Sequence, residues 1–164
     1  MAGGHGAIVL TGLAADSLAV AWIGNSQPLT QSVEIVATCP SVIGDGRYVV
    51  IKPGDADAII APEPVGLWAY DALRVAARQP RAGIDTEPED TDHVLRLVHL
   101  DGSAGEPPPA VGAILTWRGQ PVGKMGSSAQ HYELGPIGLA LVSADVPSGT
   151  TLAAGSTPVM VATD

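Results

Sequence analysis

The stretch Gly119-Gln-Pro-Val-Gly-Lys-Met-Gly-Ser-Ser-Ala-Gln-His-Tyr-Glu-Leu-Gly-Pro-Ile-Gly-Leu-Ala-Leu-Val142 decides how the chain is read. It is strand and turn throughout. Val122 to Met125 and Ile137 to Val142 are β-prone runs, and Arg118-Gly119-Gln120-Pro121 joins the first of them to Val111–Trp117 as a hairpin with a Gly-containing loop. Leu134-Gly135-Pro136 sets the turn into the second run. That leaves His131-Tyr132-Glu133 on a loop between two strands, with Tyr132 packing.

Working outward, Val94 to Leu100 alternates around Arg96 and His99 and stops at Asp101-Gly102-Ser103, while Pro158 to Ala162 supplies a last strand. About five or six strands with turns every 8–12 residues or so predict a small antiparallel barrel or sandwich over 94–164. Upstream, Asp85, Glu87, Glu89, Asp90 and Asp92 crowd beside Pro88 and Thr91 with no apolar face, so residues 85–93 read as a solvated acidic linker. Before it, Leu67, Tyr70, Ala72, Leu73, Ala76 and Ala77 recur at spacings of three and four between Pro64 and Pro80, which predicts a helix. Residues 1–84 complete an α+β half. Its predicted strands are Ala7–Thr11, Ser32–Thr38 and Arg47–Lys52, with a second helix over Ala14–Trp22. The expected organisation is therefore a partial α+β domain over 1–84, the linker, and a C-terminal antiparallel β-barrel over 94–164.

Composition narrows the partners. Among 164 residues there are 8 Lys+Arg against 17 Asp+Glu, a formal charge of −9 that repels phosphate backbones and anionic headgroups. Direct binding to nucleic acid or membrane is not expected. With 46% hydrophobic and 15% charged residues the sequence is a folding one. Aromatics are 4% and Phe is absent, so the core falls to Val, Leu, Ile and Ala. The single cysteine, Cys39, cannot form an internal disulfide and reads as a small buried hydrophobe, and a cytoplasmic setting is expected. No apolar run approaches the roughly 20 residues of a membrane helix.

The quoted stretch resembles the C-terminal barrel signature of the YgfZ-type folate-binding proteins, relatives of the T-protein (aminomethyltransferase) of the glycine cleavage system. In that signature Gly-x-x-Val-Gly-x-x-x-Ser leads to Leu-Gly-x-Ile-Ala-Leu-Ala. Leu95 to Ser103 is similar to the opening strand of that barrel, and Gly66 to Asp85 resembles the helix before the family's central loop, where aromatic-acid-x-Leu-Arg runs into Pro-Arg-x-Gly. Three features depart from the pattern. Nothing corresponds to the family's N-terminal folate-pocket domain; its Lys-Gly-Cys-Tyr-x-Gly-Gln-Glu loop is missing between Asp85 and Val94; and Leu73-Arg74-Val75-Ala76-Ala77 stands where T-protein relatives carry Leu-Arg-Leu-Glu-Ala. Ala76 cannot hold a pterin by hydrogen bonds.

The resemblance implies a shortened, non-catalytic member of the family, tied to folate-dependent iron–sulfur cluster maintenance through a protein partner or self-association. The alternative is a folate-dependent aminomethyltransferase-like enzyme whose pocket is completed across a subunit interface. A remnant without a ligand is a third reading. The cofactor implied is tetrahydrofolate, and the residues to test for it are Tyr70, Asp71 and Arg74 on the helix and His131, Tyr132 and Glu133 on the barrel loop.

Other chemistry is poorly supported. His131 with Glu133 offers two metal ligands where a catalytic site needs about three. Gly123-Lys124-Met125-Gly126-Ser127-Ser128 has the wrong order and the wrong strand-to-strand context for a phosphate loop. The acidic run lacks the spacing of a calcium loop. No Gly-x-Ser-x-Gly marks a nucleophile.

Overall fold

Val20, Ala21 and Trp22, expected at the end of a helix, lie on a β-strand. In the computed structural model, which describes residues 7–10, 19–24, 33–41, 43, 45–55, 66–87, 92–101 and 107–163, the chain falls into two compact units, Met1–Tyr70 and Asp71–Asp164.

The first unit holds an antiparallel sheet in the order β1-β2-β4-β3, from β1 (Ala7–Leu10), β2 (Ala19–Gly24), β3 (Ile35–Pro40) and β4 (Gly46–Ile51). The Ala14–Trp22 helix expectation is corrected over 19–22, and its residues 14–18 lie outside the described residues. β2 is central, with Val20 opposite both Leu10 and Val50 and Trp22 opposite both Ile8 and Tyr48. Pairing on two sides and burial of Ala21, Trp22 and Ile23 outweigh the helix propensity of the alanines. The Trp22 indole donates to Ser41 Oγ at 3.0 Å, and Ser41 Oγ in turn accepts from the Ile43 amide at 2.9 Å. Gly46 lies under the Trp22 ring, where a Cβ would collide with the indole.

β3 is an edge strand with all six residues exposed. Cys39 is therefore exposed and not the buried hydrophobe expected, because no further strand covers this side of β4 among the described residues.

Helix α1 (Leu67–Ala76) is shorter than predicted. Its last turn closes on Arg78, whose φ of 54° is left-handed, with Arg78 N–H donating to Val75 O and Gln79 N–H to Arg74 O. These two bonds form the six-to-one, five-to-two helix stop usually built on glycine. Pro80 follows, as the sequence predicted.

In the second unit β5 (His93–Leu100), β6 (Ile114–Trp117), β7 (Gln120–His131), β8 (Gly135–Ser143), β9 (Thr151–Ala154) and β10 (Thr157–Val161) close into an antiparallel barrel in the order β10-β5-β8-β7-β6-β9. The expected barrel is present. Its core is Val98, Leu100, Leu115, Met125, Val142, Leu152, Val159 and Val161 with their neighbours, the branched aliphatics predicted from a Phe-free composition. A second cluster packs Val75 of α1 against Leu97, Ile137, Leu139 and Ala162. Strand β9 was not expected. Strand β7 runs to His131 and not to Met125, because an irregularity between Met125 and Ser128 absorbs Gly126 and Ser127, which read as turn residues in sequence. No helix among the described residues is long and apolar enough to cross a membrane.

Candidate functional site

The bulge in β7 turns Ser127 toward Arg74 and Asp85, and Ser127 is buried. Its amide donates to Asp85 Oδ1 at 2.6 Å, and its hydroxyl donates to the same oxygen. Gly126 lets this happen, since a Cβ there would overlap Asp85. The other carboxylate oxygen of Asp85 accepts from the Arg81 amide at 2.8 Å and from Arg74 Nη1 at 3.0 Å. Arg74 is 4% exposed and also donates to Gln79 O at 2.6 Å, Ser127 Oγ at 2.8 Å and Asp71 Oδ1 at 3.3 Å. Arg81 also reaches Asp71 through its guanidinium.

The chain can make this cluster because it reverses tightly after α1. Asp85 N–H donates to Arg81 O at 2.9 Å, and Gly83 N–H donates to Thr86 O at 3.0 Å. Asp85 is thus not the first residue of a solvated linker: it is 1% exposed, with both oxygens occupied. Burial alone would raise its carboxyl pKa. The Ser127 hydroxyl and amide, the Arg81 amide and the Arg74 charge outweigh burial and hold it below the ordinary carboxylate value. A buried pair held by this many hydrogen bonds fixes geometry: four of the five Arg74 N–H groups and both Asp85 oxygens are engaged within the protein.

Of the residues proposed from sequence, Asp71 and Arg74 come together in this cluster. Tyr70 is buried, with its hydroxyl 3.2 Å from that of Tyr48. His131, Tyr132 and Glu133 sit at the β7–β8 hairpin. There His131 Nδ1 accepts the amides of Glu133 and Leu134, each at 3.2 Å, so the imidazole caps the turn. Tyr132 does not pack into the barrel: it is 80% exposed, and its ring stacks on His131 at 4.6 Å. Sequence reasoning missed Asp85 and Ser127, although both lie inside the stretches quoted for the resemblance.

Tetrahydrofolate needs hydrogen-bonding groups turned toward it. Arg74 and Asp71 are hydrogen-bonded within the protein, Tyr70 is buried and Ala76 offers no polar atom, so a pterin held by these residues would have to displace the contacts they make.

Residues 95–163 match the family described as CAF17, C-terminal beta-barrel domain. The barrel is CAF17-like. No curated protein matches the chain. Among solved structures the chain is similar to the crystal structure of glycine cleavage system aminomethyltransferase T from Bartonella henselae, with a TM-score of 0.65 and 16% identity over 90% of this chain. It spans 58% of the length of that relative, and at this identity the likeness is one of fold. The first finding is a likeness of the barrel and the second a likeness of fold.

Proposed function

We propose that this chain is a YgfZ-type, non-catalytic member of the aminomethyltransferase-like superfamily, acting in the cytoplasm in iron–sulfur cluster maintenance through a protein partner or a second copy of itself. The observation that carries the reading is the Arg74–Asp85–Ser127 cluster. It turns the charged groups that the resemblance assigns to folate into a structural clamp within residues 71–164.

Calorimetric titration with tetrahydrofolate, with light scattering on the same sample, tests it. A folded protein that gives no heat at roughly millimolar ligand, and scatters as an oligomer or captures an iron–sulfur assembly component, supports the proposal. Micromolar binding by the isolated chain, lost in Tyr70→Ala or His131→Ala, would overturn it.

That second outcome would favour the alternative, an aminomethyltransferase-like enzyme completed across a subunit interface. The observation on its side is the fold likeness to aminomethyltransferase T over 90% of the chain.

A further inference from the structure

Away from the Arg74 cluster, the outer wall of the barrel carries a concavity of about 240 Å³ lined by His93, Ile114, Pro121, Gly123 and Lys124. The strand register brings Ile114 and Lys124 together. Ile114 lies opposite Lys124, Lys124 opposite Leu141, and Leu141 opposite Leu95. This row faces away from the barrel interior, whose own row runs through Leu115 and Val142. An apolar wall of Ile114 and Pro121 therefore stands beside a cation. That cation already holds a carboxylate: Glu87, from the segment leading into β5, is ion-paired to Lys124.

We propose that this groove is a binding site for a small monocarboxylic acid with an apolar body, and that Glu87 is its internal competitor. The pairing of Lys124 with Glu87 shows that Lys124 Nζ, which lines the groove, can hold one carboxylate oxygen. The side chain of Glu87 is 59% exposed and that of Lys124 28%, so solvent screens the pair and an incoming carboxylate can take its place. Ile114 is 56% exposed and would gain cover from the ligand's apolar part. The volume suits a molecule of benzoate or hexanoate size, below the roughly 300 Å³ where drug-sized sites begin. The overall charge of −9 selects against polyanions, so phosphates and polycarboxylates are poor candidates.

Proton–nitrogen NMR of the full chain, titrated with benzoate and separately with inorganic phosphate, tests the site. Benzoate should give saturable shifts at Ile114, Gly123 and Lys124 with a Kd of roughly millimolar size. Glu87→Gln, which removes the competitor without touching the barrel, should tighten binding several-fold. Lys124→Met should abolish the shifts and Lys124→Arg should retain them. The proposal is overturned by no saturable shift in Glu87→Gln up to about 20 mM benzoate, by an affinity indifferent to Glu87, or by binding that survives Lys124→Met. Phosphate binding as tightly as benzoate would overturn the assignment of ligand class. The site is independent of the folate question, since none of its residues belongs to the clamp.

Discussion

Asp85 is charged at neutral pH because of the groups around it, and that has a measurable consequence. Its folded-state pKa lies below the ordinary 3.8, so the unfolded chain binds the proton more readily. The stability it contributes is complete above that ordinary value and is lost as pH falls below it, through the folded pKa. Acid should therefore weaken the protein below about pH 4, and Asp85→Asn should remove this part of the pH dependence. At neutral pH the same variant should cost about 1.5–3 kcal/mol in urea melts, because Arg74 and Ser127 lose a charged acceptor and Arg74 keeps only Asp71 as its counter-ion. Wild-type stability in Asp85→Asn would mean that Asp71 alone compensates Arg74. At the hairpin, His131→Ala should cost about 1–2 kcal/mol, since the Glu133 and Leu134 amides lose their acceptor. The local half of this chemistry was legible in sequence: Asp71 and Arg74 stand three apart on a periodic helix. Asp85 was not, because it opens a run of acidic residues, and its decisive partner Ser127 is 42 positions away.

Among the elements, the β6–β7 hairpin turns on two residues, Arg118 and Gly119, both left-handed with φ of 53° and 79°. Gly119→Ala should cost about 1 kcal/mol, because an L side chain resists that backbone. Arg118 tolerates its conformation while its guanidinium stacks 4.5 Å over Trp117. Gly123→Ala should be more severe, about 2–4 kcal/mol by thermal melts, since its Cβ would overlap the Leu141 carbonyl and force β7 off β8. Sequence reading located this hairpin, helix α1, and strands β4, β5, β8 and β10 because each has a periodic apolar pattern and a turn signal at its end. It lost the second half of β7 because a bulge built from Gly126 and Ser127 looks like a turn. It lost β9 because Thr151–Ala154 is too short to show an alternation. It misread β2 because propensity alone does not reveal two flanking strands.

Taken whole, the molecule has one unit closed on itself and another with an exposed edge strand. Closure leaves no unpaired ladder, so the barrel should be the harder unit to unfold. Trp117 reports on the barrel, and Trp22 reports on the sheet. Single-tryptophan variants followed by fluorescence in urea should show the Trp22 transition before that of Trp117. Coincident transitions would mean that both units melt as one cooperative body. The barrel was legible from the strand-and-turn patterning that begins near Val94.

The order of strands around the barrel also bears on how the protein is made. β5 finds one neighbour in β8 and the other in β10, with Leu100 opposite Val159 and Val98 opposite Val161. A ribosome releases β5 long before it releases β10. The nascent chain must therefore hold a half-built cylinder, with one side of β5 open, until the segment around Val161 emerges. During that interval the backbone of β5 is available to any neighbouring strand. Synthesis that stalls short of β10 should yield a product that chaperones bind and proteases clear.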